Sequence, residues 1–283
     1  MRERQRLGWH RYINLVTVST VVIVVLVLLP IYWLVTSSFK DPNTISETLS
    51  WFVGKGATTQ SYSNIFGAGV DFQRNIFNSL FVSIIATALV LVLGTMAGYG
   101  LGRTPMRGKL ALLMILLMIS VFPAIAIISP LYVLLRDLNW INSYQALILP
   151  YTAFNLPFAV WILRNYFQGI PKEMEETGRI DGAGPIRTLW TIILPQATPG
   201  LFTAGIFCFT ACWTEYLIAL NLDPTNNFHT IPVAIANLPA QAYTTPLGPI
   251  FAASCVAAVP VAVLVLIFRK SVVSGLTSGA VKG

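Results

Sequence analysis

The chain has 283 residues, of which 55% are hydrophobic and 10% charged, and its mean hydropathy is +0.70. Soluble domains carry about 25% charged residues, so this surplus of apolar side chains, gathered in long runs, excludes a water-soluble globule. The formal charge of +7 is absorbed by loop topology, set out below, and calls for no nucleic-acid partner.

A helix needs about 20 apolar residues to cross the hydrocarbon core of a bilayer, and six stretches meet that length. A basic segment, residues 1–14, precedes the first stretch, Leu15 to Thr36. Arg2, Arg4, Arg6 and Arg11 give it the flank of a signal peptide, but the apolar run is too long for one. Trp33, Phe39 and Lys40 also stand where cleavage needs small residues, so the stretch reads as a retained span. The second runs from Ile76 to Leu101 and carries Gly94, Gly98 and Gly102 at four-residue spacing, which lets another backbone approach closely or arises by chance in a glycine-bearing span. The third covers Leu110 to Leu135 and contains Pro123 and Pro130. The fourth covers Tyr144 to Tyr166, with Pro150 and Pro157 inside it. The fifth runs from Gly200 to Leu220, and the sixth from Gly248 to Phe268 around Pro260. Prolines at membrane depth free backbone carbonyls, which are tolerated where they face protein or a watery path. Cys208, Cys212 and Cys255 lie inside apolar runs without metal-ligand spacing and read as packing residues. His10 and His229 show no partner spacing and receive no role.

With the N-terminus inside, only Lys40, Lys55, Arg74 and Arg136 of the 18 Lys and Arg fall in outer loops. Every loop then obeys the positive-inside rule. The expected fold is an all-α integral membrane protein of six transmembrane helices with both termini cytoplasmic. Residues 15–268 form the membrane domain and residues 269–283 a cytoplasmic tail.

The longest cytoplasmic loop, residues 168–195, separates the fourth and fifth spans. Pro171 suits the first position of a helix, where its missing N–H costs nothing. Glu173, Glu175 and Glu176 complement the dipole at that end. Gly182 is placed to end the helix in a left-handed conformation, and Gly184-Pro185 can open a second short helix. Met174, Thr177, Gly178 and Asp181 share one face, small and mildly apolar, suited to a groove on a partner protein, and periodicity by itself is equally consistent with an ordinary solvated loop.

This stretch resembles the EAA coupling loop of binding-protein-dependent ABC importers: Glu-Ala-Ala, three residues, Gly, nine residues, then Ile-x-Leu-Pro. Glu176 is followed here by Thr177 and Gly178, which depart from Ala-Ala but remain small. Gly182 takes the glycine position, and Ile192-Ile193-Leu194-Pro195 closes the pattern. The run Ile180-Asp181-Gly182-Ala183 is similar to the carbohydrate-transporter version. The C-terminal Gly275-Leu276-Thr277-Ser278-Gly279-Ala280-Val281-Lys282-Gly283 is similar to the tail of MalG-type subunits of maltose- and trehalose-class permeases.

The resemblance implies a type I importer permease in the cell membrane of a bacterium or archaeon. It implies a second permease subunit, two ATPase subunits gripping the coupling loops, and an extracytoplasmic sugar-binding protein. The ATPase-coupling residues are then Glu176, Thr177, Gly178, Asp181, Gly182, Ala183, Ile192, Leu194 and Pro195. Gly275, Leu276, Thr277, Gly279 and Lys282 would reach the ATPase interface. The chain has no G-x-x-x-x-G-K-[ST] phosphate loop, so it is not expected to be an enzyme or to bind a cofactor; ATP and Mg belong to the partners.

Asn155, Trp213 and Glu215 are candidates for the substrate pathway, since a carboxylate at membrane depth points to function and an aromatic face suits a sugar. They serve equally as packing and bundle hydrogen bonding. The outer loop Asn221 to Leu247 holds Asn237 and Tyr243 and lacks basic residues; by the resemblance it docks the binding protein, and otherwise it is a connector. Two other classes remain to be weighed. A secondary transporter would use Glu215 as its ion site, and a membrane enzyme would need a His, Cys or carboxylate cluster, which the sequence lacks at metal or nucleophile spacing.

Overall fold

The structure is a computed structural model that describes residues 2–42, 45, 51–53, 56–67, 71–225, 227–238 and 247–278. Every regular element among them is helical. They are α1 (Arg2–Ser38), α2 (Gln60–Ile65), α3 (Phe72–Arg103), α4 (Lys109–Val121), α5 (Ala124–Asp137), α6 (Tyr144–Gly169), α7 (Glu173–Ile180) and α8 (Pro185–Thr188). A π-helical turn, Leu189–Ile193, leads into α9 (Leu194–Gln196), α10 (Thr198–Trp213), α11 (Leu217–Leu222), α12 (Ile231–Asn237) and α13 (Leu247–Ser278).

Two compact units divide the chain: Met1–Val70 with Asn237–Ala258, and Asp71–Ala236 with Val259–Gly283. In the first, the most apolar 18-residue window of Leu15–Ser38 has no residue buried by the chain, as befits a helix solvated by lipid. Its C-terminal end is tied down by polar and aromatic contacts. Ser38 Oγ and Tyr62 Oη share a 2.8 Å hydrogen bond, and Thr58 N donates to the Phe39 carbonyl at 2.9 Å. Lys40 Nζ lies 4.2 Å from the ring centre of Trp33, which meets Trp51 edge-on at 5.0 Å. Such aromatic and amphipathic residues anchor a helix at the membrane surface.

The second unit is built on α3 and α6. Gly94, Gly98 and Gly102 face α6, so the small-residue spacing marks a real helix interface. A Cβ on Gly98 would lie 3.1 Å from the Arg164 amide nitrogen and the Leu163 Cβ, and 3.3 Å from the Val160 carbonyl. Backbone stands on the far side, and it cannot swing away as a flexible side chain does. Gly98→Val is therefore expected to lower stability by about 1–3 kcal/mol, the usual cost of overpacking. A lower unfolding midpoint in detergent would show it; an unchanged midpoint would refute close α3–α6 packing.

Two apolar cores flank that interface. One gathers Val82, Ala86, Leu147, Tyr151, Cys212, Ile218 and Leu222; the other gathers Val90, Ala159, Leu163, Phe167, Leu189, Ile193 and Cys208. Cys208 and Cys212 are thus small packing groups, as expected.

Four helices are individually long and apolar enough to span: Leu15–Ser38, Phe72–Arg103, Tyr144–Gly169 and Leu247–Arg269. The third and fifth expected spans are not single helices. α4 and α5 bend by 89° at Phe122-Pro123, and Pro185–Gln196 and α10 bend by 81° at Ala197. Pro123 explains the first break. Its ring disfavours the helical conformation for the residue before it, and Phe122 is extended with ψ 133°. The fifth expected stretch also ends early, because α10 stops at Trp213 and a new helix, α11, starts at Leu217. The last helix runs past Phe268 to Ser278, so Gly275, Leu276 and Thr277 lie on α13.

Candidate functional site

The loop between α6 and α10 folds as expected, with one shift in register. α6 ends at Gly169 and Ile170 turns extended, with φ −79° and ψ 134°. Pro171 precedes the helix rather than opening it. α7 begins at Glu173, and the Lys172 carbonyl accepts from the amides of Glu175 at 2.9 Å and Glu176 at 3.2 Å. Glu173, Glu175 and Glu176 occupy the first turn, where the helix dipole favours carboxylates. At the other end Gly182 sits at φ +76°, and the Ala183 amide reaches back to the Gly178 carbonyl at 2.8 Å. That bond pattern is a Schellman stop, and only glycine enters it without strain. Gly184 then leads into Pro185 at the head of α8.

The π turn brings Ile192 back onto α7. A Cβ on Gly178 would sit 2.5 Å from Ile192 Cδ1 and 3.5 Å from Thr188 Oγ1. Gly178 is buried, so its smallness serves a contact inside the chain and not an open partner-facing surface. Thr177, on the other hand, is exposed, with its hydroxyl donating to the Glu173 carbonyl at 2.9 Å. The residues to which the resemblance gives an ATPase-coupling role separate into two faces. Glu176, Thr177, Asp181, Gly182 and Pro195 are exposed, whereas Gly178 and Ile192 pack inward, and Ala183 and Leu194 are half-buried.

Sequence reading missed two features of this loop. Ile180 and Ile186 are 86% and 76% exposed, the most exposed large apolar side chains of the loop. Arg103, the last residue of α3, and Glu175 form a buried ion pair with Nε and Oε1 3.0 Å apart. The contact is one of charge, since its angle falls outside hydrogen-bond geometry. The same guanidinium donates to the Ile170 carbonyl at the end of α6. In the sequence Arg103 was legible only as one more inner positive charge.

The three pathway candidates are partly brought together. Glu215 lies in the break after α10, not within a helix. Its carboxylate accepts from Tyr151 Oη at 2.8 Å, the Ile218 amide at 2.8 Å and the Ala219 amide at 3.1 Å, which caps α11. Asn155 donates to the Tyr151 carbonyl one turn back at 2.8 Å and faces Cys212 Sγ at 3.6 Å. Trp213 is buried and stacks on Phe209 with ring centres 5.7 Å apart. All three have structural partners.

The loop after α11 is tied to α3. Asn78 Nδ2 donates to the carbonyls of Asn227 and His229 at 3.3 and 3.2 Å, and its Oδ1 accepts from Tyr144 at 2.8 Å. Ser79 Oγ accepts from the Ile231 amide at 2.7 Å. Asp223 is buried and accepts from the Phe228 amide at 2.8 Å, while its backbone carbonyl lies 2.9 Å from His229 Nε2. Burial raises the Asp223 pKa, and His229 and the Phe228 amide oppose that rise. His229, which spacing left without a role, is therefore a loop-fixing residue. Asn237 ends α12 and is half-buried. Tyr243, Gly279 and Lys282 lie outside the described residues.

The model of the family described as "Binding-protein-dependent transport system inner membrane component" matches residues 91–276. The trehalose/maltose transport system permease protein MalG of Thermococcus litoralis is 33% identical over 271 residues, 95% of this chain and 96% of that protein. The trehalose transport system permease protein SugB of Mycobacterium tuberculosis is 38% identical over 257 residues, 90% and 93% of the two chains. A chain of a bacterial ABC transporter involved in import of the acidic polysaccharide alginate has the same fold. Its TM-score is 0.77 at 19% identity, over 92% of this chain and 96% of that one.

Proposed function

This chain belongs to the family of binding-protein-dependent transport system inner membrane components, and on that premise we propose that it forms half of the pore of an ATP-driven sugar importer. It is a multi-pass membrane protein of MalG type with the type I importer permease fold. The cargo in this reading is a di- or oligosaccharide such as trehalose or maltose, or a related glycoside, in keeping with the names of its relatives. A second permease subunit completes the pore, and two ATPase subunits supply ATP and Mg. An extracytoplasmic binding protein delivers the sugar. In this reading α4 with α5 makes one crossing and α10 with the residues that follow it makes another, which gives six spans with both termini in the cytoplasm.

The observation that carries this reading is the two-faced coupling loop. Its inner face is locked to the chain by Gly178 on Ile192 and Glu175 on Arg103. Its outer face offers Glu176, Thr177, Ile180 and Ile186 to a partner. An eight-residue helix is too short to hold itself in water, so locking is what makes it a rigid connector. ATP binding can then bias a two-state pore through it. The tail from Gly275 onward meets the ATPase interface, and the loop from Asn221 to Leu247 meets the binding protein. A secondary transporter running on Glu215 is disfavoured, because three donors of the chain already engage that carboxylate.

Reconstitution of the chain with its partner permease, ATPases and binding protein in proteoliposomes tests the reading. Glycoside uptake is expected to require ATP inside and the binding protein outside. A Gly-Ser linker in place of Asn237 to Tyr243 is expected to remove stimulation by the binding protein and spare basal hydrolysis. Removal of Gly275 to Gly283 is expected to change ATP hydrolysis or assembly without affecting insertion. Uptake driven by a proton or sodium gradient without ATP would overturn the reading.

A further inference from the structure

A buried ion pair is a poor way to stabilise a fold. Desolvation offsets most of its Coulomb attraction, and apolar residues of similar volume often do as well or better. Arg103 and Glu175 retain only 6% and 10% of their side-chain exposure, in a region where Gly98, Leu163 and Phe167 show that apolar packing is at hand. What the charged group adds here is a link that apolar packing cannot make: one guanidinium attracts the Glu175 carboxylate through its Nε side and donates a hydrogen bond to the Ile170 carbonyl through another nitrogen.

The connections of this pair are specific. Arg103 ends α3, its guanidinium reaches the carbonyl that closes α6, and the same group meets Glu175 on α7. One side chain therefore joins three elements. The other anchor of α7, Gly178 against Ile192, leads instead into the π turn and on toward α10. Displacement of α7 has two routes into the membrane domain: Arg103 is a direct polar link to the ends of α3 and α6, whereas the π turn reaches the same two helices through apolar packing of Leu189 and Ile193 with Val90, Leu163 and Phe167. Glu175 points inward, away from the exposed Glu176, Thr177, Ile180 and Ile186, so its removal leaves the outer face intact.

We propose that Arg103 is a positioning residue that transmits movement of the coupling helix α7 to α3 and α6, through its ion pair with Glu175 and its hydrogen bond to the Ile170 carbonyl. The inference rests on the permease reading above. Losing one partner would strand a buried charge and confuse folding with coupling, so the informative variant removes both: Arg103→Met with Glu175→Leu. The full complex, reconstituted with its binding protein, is assayed for assembly, for ATP hydrolysis and for sugar moved per ATP. The double variant is expected to assemble and to hydrolyse ATP, while sugar moved per ATP falls at least about five-fold, the lower end of ordinary coupling between sites. Arg103→Lys, which keeps the charge but not the fork, is expected to fall between the two. A double variant with the wild-type ratio overturns the proposal alone. A double variant that fails to assemble also overturns it, since the pair would then be a folding element. Wild-type complexes that move no glycoside overturn the permease reading, and the proposal with it.

Discussion

Gly182→Val is expected to abolish coupled sugar transport while the chain still inserts in the membrane. Gly182 holds φ at +76°, where a Cβ meets the backbone. A left-handed conformation costs an ordinary L-residue about 1–2 kcal/mol, and a β-branched one is a true outlier there. The strain cannot be relieved in place. The turn is closed by the Ala183 amide on the Gly178 carbonyl, and Gly178 itself is buried against Ile192 and Thr188. Valine must therefore open the stop, which shifts α7 against α8 and moves Ile180 relative to Ile186. About 1.4 kcal/mol is a factor of ten in an equilibrium, so uptake is expected to fall at least about ten-fold. Nothing in the spans depends on the turn, so the amount of protein in the membrane is expected to stay the same. A graded series checks the cause. Asn tolerates the left-handed region best, so loss of uptake is expected to rise from Gly182→Asn through Gly182→Ala to Gly182→Val. Equal damage from Asn and Val would reject the backbone explanation, and wild-type uptake by Gly182→Val would reject the coupling role.

The parts of this molecule that were legible in its sequence are those governed by local rules. Apolar length located the four helices that are individually long enough to cross, because lipid demands it over a fixed distance. Gly182 was legible because a helix stop with positive φ has a residue requirement of its own. The four-residue glycine spacing identified the interface face of α3 for the same reason. Contacts between distant segments left no such mark. Nothing about Glu175 distinguished it from Glu173, and the coupling-loop pattern fell on Glu176 instead, since the partner of Glu175 lies at the end of α3, far back in the chain. Gly178 read as space for a partner protein because the returning π turn, which puts Ile192 there, has no sequence signature. The break between α10 and α11 was hidden too. Apolar residues continue through Leu220, and only the three donors around Glu215 reveal that the helix has ended.

That arrangement makes Glu215 the site where two accounts of transport separate most clearly. As a cap, its carboxylate satisfies Tyr151 Oη and the Ile218 and Ala219 amides. Tyr151 is among the most deeply buried side chains of the chain, so its hydroxyl has no ready access to water once the acceptor is gone. A buried donor left without a partner costs about 1–3 kcal/mol, and Glu215→Ala strands more than one. This variant is expected to lose several degrees or more of thermal stability and most of its uptake together. Glu215→Gln keeps one acceptor oxygen and the length of the side chain. It is expected to melt between the wild type and Glu215→Ala and to retain ATP-driven uptake. An ion-coupled transporter would behave otherwise. There the negative charge itself is the working part, and Gln would abolish uptake as completely as Ala, whatever the melting point. Unfolding midpoints of the assembled complex in detergent, measured beside uptake in proteoliposomes, separate the outcomes. Uptake that follows stability through the series supports the cap. Wild-type stability with no uptake in Glu215→Gln would show that the charge at Glu215 acts in transport.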